Sequence, residues 1–146
     1  MDAPLEIPLD DRLCLALHAA SRSMDAVYRS LLADVGLTYT QYLAMSALWE
    51  EGPLTVGALA SRLHLDPSTV SPLVLRLQSR GLLSRERDAD DERRVTVVLT
   101  VAGEQMRADT AAVPRGVCDA IGLPVDEQAD LVAQLKALAT ALGAER

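Results

Sequence analysis

The chain has 146 residues, of which 49% are apolar, only 3% are aromatic and none is phenylalanine. This length suits one domain with an ordinary core, and a composition rich in Ala and Leu favours helices over a β-sandwich. No run of about 20 apolar residues is present to span a membrane, and the N-terminus lacks the pattern of a secretion signal. We therefore expect a cytoplasmic protein with no membrane partner, in which the two cysteines form no permanent disulfide.

Apolar side chains recur at helical spacing through the first half of the chain, which predicts four helices. Their approximate ranges are 10–33, a segment from Thr38 or Thr40 to Glu51, 56–63 and 67–80. Thr55 is the expected N-cap of the third helix. Asp66 is the expected N-cap of the fourth, since Pro67 fits the first helical position. Gly36 and Gly81 follow the first and fourth helices, where a glycine commonly ends a helix.

After the fourth helix the pattern changes to that of two short strands, 82–87 and 95–99, joined by the polar segment DADDERR. This arrangement predicts a β-hairpin. Thr100 is expected to cap a fifth helix over about 101–121, and a sixth covers about 125–142. The predicted fold is mainly α with one small hairpin, in the order α-α-α-α-β-β-α-α, as a single domain of residues 1–146.

The net charge of −7 is unevenly distributed along the chain. Residues 1–61 carry three basic and eight acidic side chains, and residues 88–146 carry six basic and eleven acidic ones. Residues 62–87 instead carry five Arg against two acids, so the middle of the chain is its only basic segment. Such a segment is compatible with binding to DNA phosphates, although five Arg on solvated faces would be equally ordinary.

The third and fourth helices followed by the hairpin have the layout of a winged helix-turn-helix. The second helix of this motif enters the major groove and presents its N-terminal residues to the bases. Ser68, Thr69 and Ser71 lie at that end, and Arg76 follows within reach of a phosphate, although the hydroxyls also suit an ordinary helix start. Pro72 has no independent explanation inside a helix. The buried face of this helix is expected to consist of Val70, Leu73, Val74 and Leu77.

Arginines also mark the predicted hairpin, with Arg85 and Arg87 on its first strand and Arg93 and Arg94 near its tip. An arginine of such a wing can enter the minor groove, where a narrow groove concentrates negative potential. Asp91 is interpreted as a partner that holds an arginine side chain in its extended geometry. A solvated charged turn is the ordinary alternative.

A polar face along the first helix consists of Cys14, His18, Ser21, Asp25 and Tyr28, at helical spacings. Tyr28 lies 14 residues after Cys14, or about 21 Å along the axis, so the two cannot touch within one chain. Antiparallel packing of two copies of this helix would bring Tyr28 of one subunit towards Cys14 of the other. His18 is a candidate hydrogen-bond partner that favours the thiolate; a metal site would need further ligands, which the sequence does not offer.

The triplet Asp91-Glu92-Arg93, followed by a strand that ends in Leu99-Thr100, resembles the wing signature of the MarR family of transcriptional regulators. The resemblance covers nearly the whole chain, including the order of the helices. It implies a homodimer held by helices within residues 10–35 and 101–144, with a DNA-binding winged lobe at 55–100. It also implies that the dimer binds a palindromic double-stranded operator, one recognition helix and one wing to each half-site.

The segments RLCLALHAASR, LTYTQYLAMSALWE and TVSPLVLRLQSRGLL resemble more narrowly the organic-hydroperoxide-sensing (OhrR-type) branch of that family. This resemblance implies that an organic hydroperoxide is the inducer, that Cys14 is the redox sensor, and that Tyr28 and Tyr39 stabilise its thiolate across the dimer. It further implies that Cys118 of the partner resolves the oxidised Cys14 through an intersubunit disulfide, and Pro72 matches the branch. His18 departs from a position that is often aromatic there.

Three functions remain open from the sequence. The first is a hydroperoxide-responsive repressor without metal or other cofactor, and the second is a MarR-type repressor that a small aromatic ligand releases, with both cysteines structural. The third is a thiol peroxidase, for which the sequence shows no turnover machinery and which would leave the wing unexplained. We therefore expect a regulator rather than an enzyme.

Overall fold

The computed structural model describes residues 5–143, which fold into a mainly helical protein with a small antiparallel sheet. Short 3-10 turns precede and follow the first helix, at Leu9–Asp11 and Ala33–Val35. The helices are α1 (Leu13–Leu31), α2 (Tyr39–Glu51), α3 (Val56–Leu63), α4 (Pro67–Ser79), α5 (Val101–Asp109), α6 (Val113–Ile121) and α7 (Val125–Ala141). The strands are β1 (Leu54–Thr55), β2 (Leu83–Arg87) and β3 (Val95–Leu99). None of these helices is both long and apolar enough to cross a membrane.

Three threonines begin helices as the sequence predicts. The Thr38 hydroxyl accepts the Gln41 amide at 3.2 Å, while the Gln41 side chain accepts the Thr38 amide at 3.0 Å, a complete capping box. Thr55 and Thr100 accept backbone N–H groups of α3 and α5, each at 3.1 Å. Asp66 precedes α4 as expected, but its carboxylate accepts no helix N–H, so the predicted side-chain cap is absent.

The single helix predicted over 101–121 is wrong, because the chain forms α5 and α6 with a turn between them. Pro114 explains the break: it has no N–H to donate to the Thr110 carbonyl, and its ring would clash with that carbonyl in a continuous helix. The Thr110 carbonyl instead accepts the Val113 N–H at 3.0 Å, in a tighter turn. The proline then lies in the first turn of α6, where its missing donor is harmless.

The predicted hairpin is confirmed as β2 and β3, with Leu83 opposite Leu99 and Arg87 opposite Val95. A third strand, β1, pairs with the other edge of β3, with Leu54 opposite Val97. The sequence predicts only a turn at this position, since two residues are too few to show the alternating pattern of a strand. This strand joins the start of α3 to the base of the hairpin.

The core lies among α2, α3, α4 and the sheet, and α6 adds two buried valines. All four residues predicted for the buried face of α4 are at most 6% exposed, which confirms that prediction. By contrast, α1 and α7 contain no buried residue. Met24, Val27 and Tyr28 of α1 pack partly against the core, whereas other apolar side chains of the two helices, such as Leu13 at 58% and Val132 at 49% exposure, are left uncovered in the protomer.

The start of α5 makes an unusually close approach to the chain that leads into β2. A Cβ atom at Gly103 would lie 2.1 Å from the Leu82 carbonyl oxygen. The same oxygen accepts the Thr100 N–H at 3.1 Å, and the indole Nε1 of Trp49 donates to the Gly103 carbonyl at 3.0 Å. Only glycine fits at this crossing. The signal in the sequence is a glycine inside a predicted helix, where this residue usually has a packing reason.

We predict that Gly103→Ala lowers the free energy of unfolding by about 2–3 kcal/mol, because the added methyl group overlaps a backbone carbonyl. Gly57→Ala is the matched control, since nothing lies within 4 Å of a Cβ built at this helical position. We expect it to stabilise the protein by about 0.5–1 kcal/mol. Urea unfolding of the two variants tests this difference, and equal stabilities would contradict it.

Candidate functional site

The outer surface of α4 presents the hydroxyl groups singled out in the sequence. Ser68, Thr69, Ser71 and Arg76 are all exposed. Within residues 5–143, the side chains of the three hydroxyl residues form no hydrogen bond to the protein. The carboxylate of Asp66, which precedes α4, accepts no hydrogen bond from the first turn, so it leaves the N–H groups there uncapped. This end of α4 is therefore available to DNA phosphates and bases.

A tight turn sets α4 against α3. His64 adopts the left-handed conformation (φ 55°), and its N–H and that of Leu65 bond to carbonyls at the end of α3, at 3.2 and 3.0 Å. This left-handed residue ends α3 abruptly, so that only three residues separate α3 from α4. The two helices thereby form the helix-turn-helix that the spacing predicts.

The wing is shaped by hydrogen bonds within its tip. The Asp91 carboxylate accepts the backbone N–H of Arg93 at 3.0 Å, and its carbonyl accepts the Arg94 N–H at 2.9 Å. No ion pair joins Asp91 to an arginine side chain in the part of the chain that the structure describes. The predicted partnership is therefore wrong in its mechanism: Asp91 supports the turn, and the exposed Arg93 side chain extends from it.

The first wing strand carries two further arginines. The Arg85 guanidinium donates to the Gln78 side chain at 3.0 Å, which ties β2 to the end of α4. Because glutamine is neutral, this contact leaves the charge of Arg85 uncompensated. Arg87 is exposed at the end of the strand. Within residues 5–143, none of Arg76, Arg85 and Arg87 forms an ion pair, so each keeps its positive charge.

One of the five arginines in the basic segment is neutralised. Arg62 lies on α3 and pairs with both Glu50, at 3.1 Å, and Glu51 on α2. In the linear sequence this arginine adds to the positive charge of the basic segment. In the folded protein two carboxylates from another helix balance that charge, so Arg62 contributes little to the attraction of phosphate.

Arg80 has a structural role that the sequence analysis missed. Its guanidinium donates to the carbonyls of Val35 and Gly36 at 2.9 and 2.8 Å, which joins the end of α4 to the turn after α1. Carbonyls in such a turn have no helical partners, so a forked donor satisfies both. No local pattern signals this contact, since 44 residues separate Arg80 from Gly36.

Cys14 is the second residue of α1 and is exposed in the protomer. His18, one turn later, is also exposed. Within residues 5–143 they belong to no group of three side chains able to hold a metal ion. The sulfur of Cys14 is therefore open to a reactant or to a second subunit at the start of α1.

Tyr28, Tyr39, Tyr42 and Cys118 gather at the opposite end of α1 and are here called the phenol cluster. The ring centroids of Tyr28 and Tyr39 are 4.4 Å apart, and those of Tyr28 and Tyr42 are 5.8 Å apart. Cys118 is half-buried on α6, near enough to Tyr28 for its charge to affect the phenol. The structure thus unites Tyr28, Tyr39 and Cys118 in one protomer.

Close packing of α6 on α1 creates this arrangement. A Cβ atom at Gly116 would lie 2.8 Å from the side chain of Leu31, so the missing side chain allows the two helices to approach. Cys118 follows Gly116 by two residues on the same helix, which this close approach brings towards α1. A second glycine inside the predicted fifth helix was the available signal for this contact.

Burial raises the pKa of the Tyr28 phenol above its usual 10.0, and negative charge on Tyr39, Tyr42 and Cys118 would raise it further. Burial likewise raises the pKa of Tyr39, with the Asp25 carboxylate as a second cause. Both phenols therefore remain protonated near neutral pH. They can donate hydrogen bonds to an anion and do not themselves compete as anions.

The titration of Tyr28 predicts a pH-dependent stability. Because its pKa is raised in the folded state, the stabilisation is fully present below about pH 10 and is lost as the pH rises through the folded-state pKa. We expect the free energy of unfolding to fall less steeply between about pH 9 and 11 in Tyr28→Phe than in the unmodified protein. Urea unfolding across this range tests the prediction, and identical slopes would refute it.

The chain is similar to known regulators of transcription. The model of the MarR family matches residues 37–95, from the turn before α2 to the start of β3. The HTH-type transcriptional regulator TtmR of Methylorubrum extorquens is 41% identical over 130 residues, 89% of this chain and 67% of TtmR. The organic hydroperoxide resistance transcriptional regulator of Bacillus subtilis is 37% identical over 134 residues, 92% of this chain and 89% of that regulator.

A solved structure of reduced AbfR bound to DNA superposes on this chain with a TM-score of 0.76 and 32% identity, over 92% of this chain and 94% of AbfR. Disulfide-formed AbfR is also similar, with a TM-score of 0.65 over 89% and 91% of the two chains. The relatives are regulators of transcription rather than enzymes. Together with the winged helix-turn-helix, these similarities show that the chain belongs to the MarR family of DNA-binding transcriptional regulators.

Proposed function

We propose that this chain is a homodimeric repressor that senses organic hydroperoxides by oxidation of Cys14. In the reduced state the dimer binds a palindromic operator. Oxidation of Cys14, followed by an intersubunit disulfide with Cys118, releases the operator. The similarity to a regulator of organic hydroperoxide resistance supports the choice of inducer.

The observation that carries the proposal is the separation of Cys14 from the phenol cluster along one helix. Cys14 and Tyr28 lie 14 residues apart, about 21 Å along the helix, so the phenols of a protomer cannot contact the Cys14 sulfur of the same protomer. An antiparallel pair of α1 helices places each Cys14 against the partner's Tyr28. The arrangement is reciprocal, as a two-fold axis requires, and yields two equivalent sensor sites.

The uncovered apolar side chains favour the same dimer. Since α1 and α7 contain no buried residue, a folded protomer leaves an extensive apolar surface in water. Leu131 and Leu135 on α7 are 45% and 41% exposed, and Leu13 at the start of α1 is 58% exposed. Dimerisation through helices within residues 10–35 and 101–144 would cover this surface and leave the lobe at 55–100 free for DNA.

In the first chemical step the Cys14 thiolate attacks the terminal oxygen of the hydroperoxide. A sulfur–oxygen bond forms as the oxygen–oxygen bond breaks, and the alkoxide leaves with a proton as an alcohol. Sulfur loses two electrons to the peroxide and becomes a sulfenic acid. The partner's phenols, kept protonated by burial, donate hydrogen bonds to the thiolate, and His18 offers a further donor.

In the second step the Cys118 thiolate of the partner attacks the sulfenic sulfur. A disulfide forms, the sulfur–oxygen bond breaks, and hydroxide leaves as water after it takes up a proton. Cys118 lies beside Tyr28, so the phenols that stabilise the sensor thiolate also bring it towards the resolving thiol. The disulfide form of AbfR supports the use of such a bond in a similar fold.

Operator binding uses the α4 surface and the wing. Ser68, Thr69 and Ser71 meet bases and phosphates in the major groove, and Arg76 and Arg85 meet phosphates. Arg87 ends the same wing strand as Arg85 and also meets phosphate, and Arg93 enters the minor groove from the wing tip that Asp91 supports. The two half-sites lie about one helical turn of DNA apart, so the two α4 helices of the dimer must be separated by the matching distance. A dimer in which this distance has changed no longer binds the operator.

A second function has one observation in its favour. Tyr42, Trp49 and Arg107 line a cavity of about 240 Å³ between α2, α5 and the start of α6. An aromatic wall with one guanidinium suits a small aromatic acid, although the Glu50 carboxylate also lines the cavity and opposes one, so a ligand-released repressor is the alternative. The cavity is small, and its Arg107 already contacts the Trp49 carbonyl at 3.4 Å, which favours the thiol mechanism.

We predict that Cys14→Ser binds the operator normally when untreated and is no longer released by an equimolar amount of cumene hydroperoxide. Cys118→Ser is expected to lose the covalent dimer seen in non-reducing electrophoresis after the same treatment. Release of Cys14→Ser by peroxide would refute the sensor. Release by an aromatic acid in both cysteine variants would establish the alternative, and sustained peroxide consumption without DNA binding would establish a peroxidase.

We also predict that Arg93→Ala weakens operator binding about tenfold, because it removes a charged contact in the groove. The slope of log K against log salt concentration should decrease in magnitude by about two, since each wing of the dimer loses one charged contact. Arg115→Ala is the control, since this arginine lies on α6 and pairs with Asp119 at 3.0 Å. Fluorescence anisotropy over a range of salt concentrations distinguishes the two variants, and equal affinities would show that the wing does not touch DNA.

A further inference from the structure

The outer surface of α4 carries few side chains that can recognise a base by two hydrogen bonds. Gln78 is the single amide on the helix, and its oxygen already accepts from Arg85 at 3.0 Å. The Ser79 hydroxyl donates to the Arg76 carbonyl at 2.8 Å and belongs to the helix end. The exposed side chains that remain are Pro67, Ser68, Thr69, Ser71, Pro72, Leu75 and Arg76.

Leu75 is exceptional within the DNA-binding lobe. It is 48% exposed, and no other large apolar side chain between residues 55 and 100 is classed as exposed. The neighbouring Leu73, Val74 and Leu77 are buried, so the core face of α4 is complete without Leu75. Leu75 is therefore exposed because it lies on the outer face of the helix, and it is not a core residue that failed to pack.

Leu75 lies on the same helical face as the residues that lead into the groove. It follows Pro72 by three positions, Ser71 by four and Ser68 by seven, and side chains at these spacings are neighbours. Pro72 is exposed as well, so the two residues form a continuous apolar patch. The hydroxyl groups and Arg76 surround this patch with polar groups.

We propose that Leu75, together with Pro72, contacts the 5-methyl group of a thymine in each operator half-site and thereby determines sequence preference. The thymine methyl is the apolar feature that base edges display in the major groove, and contact with it is a known form of direct readout. This inference rests on the proposed placement of α4 in that groove. It identifies A·T pairs as a required part of the half-site.

Replacing thymine by deoxyuridine tests the contact, because it removes the methyl group and leaves every hydrogen-bonding group of the base pair unchanged. The reduced full-length protein first selects a duplex from a random pool, and each thymine of that duplex is then replaced in turn. We expect one position in each half-site to weaken binding by about three- to fivefold, the value of one buried methyl group. The other positions should have little effect.

The Leu75→Ala variant supplies the second half of the test. It should bind the thymine duplex about nine- to twenty-five-fold more weakly, because the homodimer loses the contact in both half-sites, and it should be insensitive to deoxyuridine at the identified position. The control is Leu5→Ala, which makes the same truncation at an 87% exposed leucine outside the DNA-binding lobe and the proposed dimerisation helices, and it should retain the full affinity and sensitivity.

The outcomes separate this inference from the function on which it rests. A selected duplex with no thymine whose methyl group matters, or an equal loss in the unmodified protein and in Leu75→Ala, overturns the methyl contact and leaves operator binding intact. Failure to select any duplex refutes operator binding and the contact together.

Discussion

The close approach of α5 to the Leu82 carbonyl is the constraint on which the rest of the structure depends. Gly103 allows it, because any side chain at this position would overlap that oxygen. Thr100 and Trp49 add hydrogen bonds on either side of the crossing. The base of the wing, the buried helix α2 and the start of α5 are therefore joined at one rigid point.

Arg80 provides a second connection, at the other end of α4. Its two hydrogen bonds fix the turn at Val35 and Gly36, and Tyr39 follows this turn by three residues. The recognition helix is thus attached both to the turn beside the phenol cluster and, through the wing, to α5. In the proposed mechanism these two attachments are the routes by which a change at the sensor thiol reaches the DNA-reading surface.

Positive charge in this acidic protein depends on which arginines remain unpaired. Arg62 is neutralised by Glu50 and Glu51, whereas Arg85 is held by a neutral side chain and keeps its charge. The wing tip is ordered by backbone hydrogen bonds to Asp91, which leave the Arg93 side chain exposed. The unpaired positive charge of the basic segment is therefore smaller and more localised than the linear sequence suggests.

The sequence by itself determined the features set by local chemistry: the threonine caps, the buried face of α4, the hairpin and the separation of Cys14 from Tyr28 along one helix. These follow from helical and strand periodicity and from hydrogen bonds between residues a few positions apart. Only the tertiary structure decided the contacts of Arg62 and Arg80, the crossing at Gly103 and the meeting of Tyr28, Tyr39 and Cys118. Each of these joins segments distant in the chain, whose approach depends on the packing of whole helices and has no local sequence pattern.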